Sequence, residues 1–127
     1  MACQLELRTD GKGGNVVYDR RLESVHPTSH GRSEKNEAVE VDYGILARTV
    51  NPENSRREIL LLAGAHGGGT QAAAEVSVRD RYKSRLRHEI RSSTAGFECL
   101  VRYEHTEVDG IRRQQFSLEF CRSLEGV

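Results

Sequence analysis

Residues 58–74 read EILLLAGAHGGGTQAAA, and the fold turns on how they are read. Ile59-Leu60-Leu61-Leu62-Ala63 is an apolar run without polar alternation, the pattern of a strand covered on both faces. It ends at Gly64, and Gly67, Gly68 and Gly69 follow with His66 in the same loop. From Thr70 the chain turns to helix formers, Gln71-Ala72-Ala73-Ala74-Glu75, and the Thr70 hydroxyl is expected to accept a backbone N–H as the cap. Strand, glycine loop and helix in this order predict an α/β fold.

Working outward, Val39 to Val50 (VEVDYGILARTV) reads as a strand, with Gly44 as a bulge or a close backbone approach. Asn51-Pro52-Glu53-Asn54 is turn chemistry between the two strands. After the glycines, Val78, Tyr82, Leu86 and Ile90 recur at i+4 as an apolar helix stripe. Ser77 to Asp80 is a weaker helical region, so a break there would make two helices. The other surface is basic, with Arg79, Arg81, Lys83, Arg85, Arg87 and Arg91, and reads first as a solvated face. Phe97, Cys99, Val101 and Tyr103 alternate onto one face of a strand. Asp109-Gly110 signals a hairpin, and Phe116, Leu118 and Phe120 share a face of the returning strand. Upstream, residues 5–9 and 16–20 form a candidate hairpin around the turn Asp10 to Asn15. Residues 23–37 are polar, with Pro27 and Gly31, and are expected to be a mobile loop. The expectation is therefore one α/β domain over residues 1–127, with a mixed sheet, a strand–glycine-loop–helix unit and a C-terminal β-hairpin.

Length suits one domain with one core. The formal net charge is +0, so nothing pulls the chain in bulk towards nucleic acid or an acidic membrane surface. No apolar stretch approaches the ~20 residues of a membrane helix, and residues 1–6 lack a basic region followed by an apolar core. The expected location is the cytoplasm. Cys3, Cys99 and Cys121 are odd in number and widely spaced, which argues against a disulfide framework, and no CxxC pair suggests zinc.

Three sets of residues carry candidate chemistry. The first is Gly64, His66, Gly67, Gly68, Gly69 and Thr70: glycines admit a close ligand, and free N–H groups at a helix start can hold an anion or nucleotide phosphate. The spacing is neither GxGxxG nor GxxxxGK[ST], and a tight strand-to-helix turn without ligand fits the same residues. The second is His66 as a base with Cys99 as nucleophile. A His-Gly after one strand and a Cys on the next resembles the order in caspase-like peptidases. Yet Cys99 alternates with core residues, which reads as a buried structural cysteine. The third, His26, Ser29 and His30, lies in a Pro-containing segment without a nearby carboxylate and is a weak metal candidate.

The block DYGILARTVNP (Asp42 to Pro52), then ILLLAG (Ile59 to Gly64) and Thr70-Gln71-Ala72-Ala73, resembles the Rossmann-like C-terminal segment of archaeal S-layer proteins and related stand-alone prokaryotic domains. Those segments share a YG strand, an Asn-Pro turn, an apolar strand ending in Ala-Gly and a Thr-x-Ala-Ala helix start. The resemblance covers residues 42–74, implies an α/β layer, and carries over no catalytic residue. The function expected is a binding or regulatory domain without chemistry, taking a small anionic ligand at the glycine loop or a protein partner. A hydrolase using His66, with or without Cys99, is the runner-up, and a structural subunit of an oligomer, its exposed sheet edge covered by the partner, the third reading. No cofactor is named by the sequence.

Overall fold

The structure, a computed structural model, describes residues 3–12, 14–32, 38–51, 53–92 and 96–124. Its strands are β1 (Leu5–Thr9), β2 (Asn15–Asp19), β3 (Ser24–Pro27), β4 (Ser29–Arg32), β5 (Ala38–Asn51), β6 (Asn54–Gly64), β7 (Gly96–Val108) and β8 (Ile111–Ser123). Two helices, α1 (Gly67–Val78) and α2 (Asp80–Ser92), lie between β6 and β7.

β5 is the spine. Along one edge it pairs with β7 from Ala38 to Thr49, and β8 continues the sheet beyond β7. Its other edge is shared: β4 runs beside Ala38 to Val41, and β6 beside Gly44 to Asn51. β1, β2 and β3 form a second sheet. Every pairing is antiparallel. The expected α/β class with a mixed sheet is therefore overturned, and with it the Rossmann-like architecture implied by the resemblance. The stretch 58–74 does run strand, glycines, helix. But β6 and β7 flank β5 without touching, so the helices join two strands of an antiparallel sheet instead of building a doubly wound one.

The large sheet has two different faces. Leu46, Phe97, Cys99, Val101 and Tyr103 pack against Ala72, Ala73 and Val76 of α1 and Tyr82 and Leu86 of α2. The opposite face, with Ile45, Ala47 and Leu100, meets Leu5 and Val17 of the small sheet. α1 ends at Val78 because Arg79 is extended (φ −76°, ψ 135°), which is the expected break. Of the predicted stripe, Tyr82 and Leu86 are buried, Val78 is exposed at the helix end, and the Ile90 side chain lies outside the described residues.

Three further expectations are corrected, and the choice between the two readings of Gly44 is decided. Residues 24–32 of the presumed loop at 23–37 are strands β3 and β4, with Thr28 between them where the chain passes from the small sheet to the large one; residues 33–37 lie outside the described residues, as does Pro52 of the expected turn. Gly44 is not a bulge but a close approach, since a Cβ there would overlap the Gly69 carbonyl. Phe116 and Leu118 join the helix-side core while Phe120 joins the other. The register explains this: Leu100 faces Phe120 but Val101 faces Leu118, leaving Glu119 as a bulge that inverts the alternation. That same inversion sets Cys121 directly across from Cys99, with Cα atoms 4.1 Å apart, and the two form a disulfide. Their 22-residue separation in sequence vanishes once the hairpin folds, so wide spacing was a poor guide. The Asp109-Gly110 turn has φ of 50° and 78°, the left-handed pair that a two-residue hairpin takes.

The most consequential correction concerns β6. It lies at a sheet edge, and Ile59, Leu60, Leu61 and Leu62 are 42%, 58%, 42% and 36% exposed. Neither face of this apolar run is fully covered.

Candidate functional site

The glycine loop is built around one carboxylate. Asp42, in the middle of β5, is fully buried. Its Oδ2 accepts the backbone N–H groups of His66 (3.0 Å) and Gly69 (2.6 Å), and its Oδ1 those of Tyr43 (2.9 Å) and the Thr28 hydroxyl (2.8 Å). An antiparallel strand alternates its side chains, so a polar residue at 42 points where α1 begins. The helix starts at Gly67 with His66 in the cap position and no side-chain cap of its own. Asp42 supplies the missing acceptor and a negative charge at the helix N-terminus. Thr70 does not cap: its N–H and its hydroxyl both approach the His66 carbonyl, at 3.3 and 3.4 Å.

Three of the loop glycines serve packing, whereas Gly67 has open space around it. A Cβ at Gly69 would overlap the Tyr43 carbonyl, one at Gly64 the Thr70 amide, and one at Gly68 the Tyr103 ring. α1 crosses β5 at backbone distance, and only residues without side chains allow that. The predicted anion site is thus filled by the chain's own carboxylate, and an external phosphate would meet that negative charge. Gly68→Val is accordingly expected to destabilise the fold by about 2 kcal/mol or more through overpacking against Tyr103, read as a lower urea midpoint, equally with and without phosphate.

The other sequence candidates are not brought together. His66 has an exposed side chain, whereas Cys99 is fully buried under the helices and bonded to Cys121. A disulfide sulfur is no thiolate nucleophile, so the His66–Cys99 pair is not assembled. His26 packs at a tilt against Tyr43 (ring centroids 5.2 Å apart, planes at 54°), and His30 is exposed. Among the described residues no group of His, Cys, Asp and Glu is arranged to hold a metal ion.

A second buried ionic group went unread in the sequence. Arg122 of β8 donates through both terminal nitrogens to Asp19 of β2, each at 2.8 Å, and to Glu98 of β7 at 3.3 Å. Glu98 also accepts the backbone N–H groups of Gln4 and Leu5. Asp19 and Glu98 are both fully buried. Burial alone would raise the Asp19 pKa, but the Arg122 bonds and the N–H groups of Leu22 and Arg21 bring it below the ordinary carboxylate range. The same pairing outweighs burial at Arg122 and raises its pKa. With every acceptor engaged, this cluster ties the small sheet to the large one and leaves no group for a substrate.

What stays open is the outer edge of β6. Among the described residues no strand lies beyond it. Leu60 and Leu62 project to the helix side, Ile59 and Leu61 to the other. On the helix side a groove of ≈ 350 Å³ is lined by Leu46, Leu60, Leu86 and Phe97, with the Arg48–Glu58 ion pair at its rim. Edge strands are ordinarily guarded by charges, prolines or bulges. β8, at the far edge of the sheet, is guarded by Arg112, Arg113 and the Glu119 bulge; residues 59–63 of β6 have no such guard.

No protein-family model matches the chain, and comparison with curated proteins and with solved structures likewise found no match.

Proposed function

We propose that the chain is a binding domain without catalytic chemistry whose working element is the open edge of β6. It takes a partner's strand through backbone hydrogen bonds, with the leucines on the two faces gripping the side chains of that strand. The observation that carries this reading is the run of four exposed aliphatic residues on an unguarded edge. A buried apolar strand would serve stability, whereas this one exposes its apolar surface at a cost in water. Against an anion site stands Asp42 at the helix start, and against a hydrolase that uses Cys99 with His66 stands the disulfide that holds Cys99.

The test is an amide NMR titration with a synthetic extended peptide of alternating valine and threonine. Amides of residues 59–63 are expected to shift and gain exchange protection, while those of β8 stay unchanged. Unmoved amides at 59–63 up to millimolar peptide, in protein that sediments at the mass of one chain, would overturn the reading.

The resemblance of residues 42–74 to the S-layer segments is kept as part of the proposal in a narrower sense. Asp42, Gly44, Gly64, Ala72 and Ala73 are the residues that seat α1 on β5, so the shared pattern would describe a helix-on-strand crossing and no ligand site. As for location, no helix among the described residues is long and apolar enough to cross a membrane. The expected cytoplasm is a reducing compartment, whereas a Cys99–Cys121 disulfide fits an oxidising one. A thiol count on protein isolated without reductant decides between them. One thiol per chain is expected, that of Cys3, and it should react slowly at neutral pH: burial, and next the charge of Glu98, raise its pKa.

A further inference from the structure

We infer that the strand received by β6 is the β6 of a second copy of this chain, paired antiparallel about a two-fold axis near Leu61, so that the large sheet runs unbroken through a dimer. The inference rests on the proposed binding role of β6 and names its occupant.

Three observations favour this occupant. First, both faces of the edge are apolar. A partner lying on one face would leave either Leu60 and Leu62 or Ile59 and Leu61 in water, whereas a strand alongside touches both sets. Second, the run is self-complementary. About Leu61, antiparallel pairing sets Leu60 opposite Leu62 of the second copy, Ile59 opposite Ala63, and Leu61 opposite itself, all apolar on apolar. Leu62 of the second copy then lies beside Leu60 at the mouth of the helix-side groove. Third, the charges select the direction. Arg56 and Arg57 are exposed on the same strand. A parallel pairing would stack each arginine on its own counterpart, and like charges directly opposite destabilise a sheet. The antiparallel pairing carries both arginines past Gly64, where the strand of the second copy ends. A two-fold operation also closes the assembly, because it uses the same edge on both copies and leaves the guarded β8 edges outside.

The full chain, with its disulfide intact, is examined by sedimentation over a concentration series. The expected mass rises to twice the 14.3 kDa of one chain. Leu61→Lys is expected to remain at single mass with an unchanged circular-dichroism spectrum, since Leu61 lies at the surface. Arg113→Glu, on the far edge, is expected to dimerise like the parent. Direction is read from spin labels at Arg56→Cys in a Cys3→Ser background. Antiparallel pairing about Leu61 puts the two labelled backbones ten residues apart along the strand, about 33 Å. A single mass at every concentration, a dimer that survives Leu61→Lys, or labels lying side by side would each overturn the inference. If Leu61→Lys does not fold, the label distance alone decides. A single mass together with peptide-induced shifts at residues 59–63 would remove the second copy as occupant while leaving the binding role of β6 standing.

Discussion

Alanine in place of Asp42 is expected to cost about 3–5 kcal/mol, because several donors lose their acceptor at once and each buried unsatisfied group costs about 1–3 kcal/mol. The N–H of Gly69 is buried where α1 meets β5 and has no water to turn to without opening that crossing, and the part-buried N–H of His66 lies beside it. A domain of this size has roughly 5–15 kcal/mol in total, so much of the population should unfold on modest heating. Asp42→Asn should fall between the two. It keeps one acceptor oxygen but loses the negative charge at the helix start. Urea melts of the three proteins check this, and an alanine variant within 1 kcal/mol of the parent would mean that the carboxylate is not what holds α1 on the sheet.

Replacing Arg122 with methionine is expected to be as damaging at neutral pH, and the loss should shrink as the pH falls. In the parent, the depressed Asp19 pKa contributes stability that is complete above the unfolded value, near pH 4. That contribution is lost as the pH falls through the lower folded value. The methionine variant leaves Asp19 and Glu98 buried without their cation, at a cost of about 3–5 kcal/mol at neutral pH. Without Arg122, burial pushes the Asp19 pKa up and its protonation relieves the strain, so the variant should gain stability on going from pH 7 to pH 5 while the parent holds steady. Denaturant midpoints at the two pH values test the sign. A variant equally weak at both would show that its loss comes from packing and not from charge.

Which parts of this could be read in advance follows from the range of the physics. Local signals were legible. Asp109-Gly110 makes the hairpin turn, Phe97, Cys99, Val101 and Tyr103 share a buried face, Tyr82 and Leu86 face the core, and the helix breaks at Arg79. Residues acting across long separations were not. Asp42 sits 27 positions before Gly69, and its only mark in the sequence is that it is the second of two acids, after Glu40, in the strand VEVDYGIL. That mark could have been taken as the counter-charge to a helix start. Glu98 and Arg122 looked like ordinary outward residues of strands, because nothing in the pattern reveals a second sheet lying over them. The apolar run at 59–63 misled for a different reason. Hydrophobicity reports that a surface wants covering, not whether its own chain covers it. The bulge at Glu119 left no composition signal at all, yet it decides the faces of Phe120 and Cys121.

The clamp of Glu98 and Arg122 on the first strands also bears on the order in which the molecule can be made. Gln4 and Leu5 wait for a carboxylate 94 and 93 positions later, and Asp19 waits for a guanidinium 103 positions later. On the ribosome, the small sheet is therefore synthesised first but finished last, since its long-range partners have not yet emerged. During that interval the β1–β2 hairpin has little to rest on, because an isolated hairpin is marginal in water. A nascent chain stalled before residue 98 should be open to proteolysis from its amino end, and should close to it only when β8 leaves the exit tunnel.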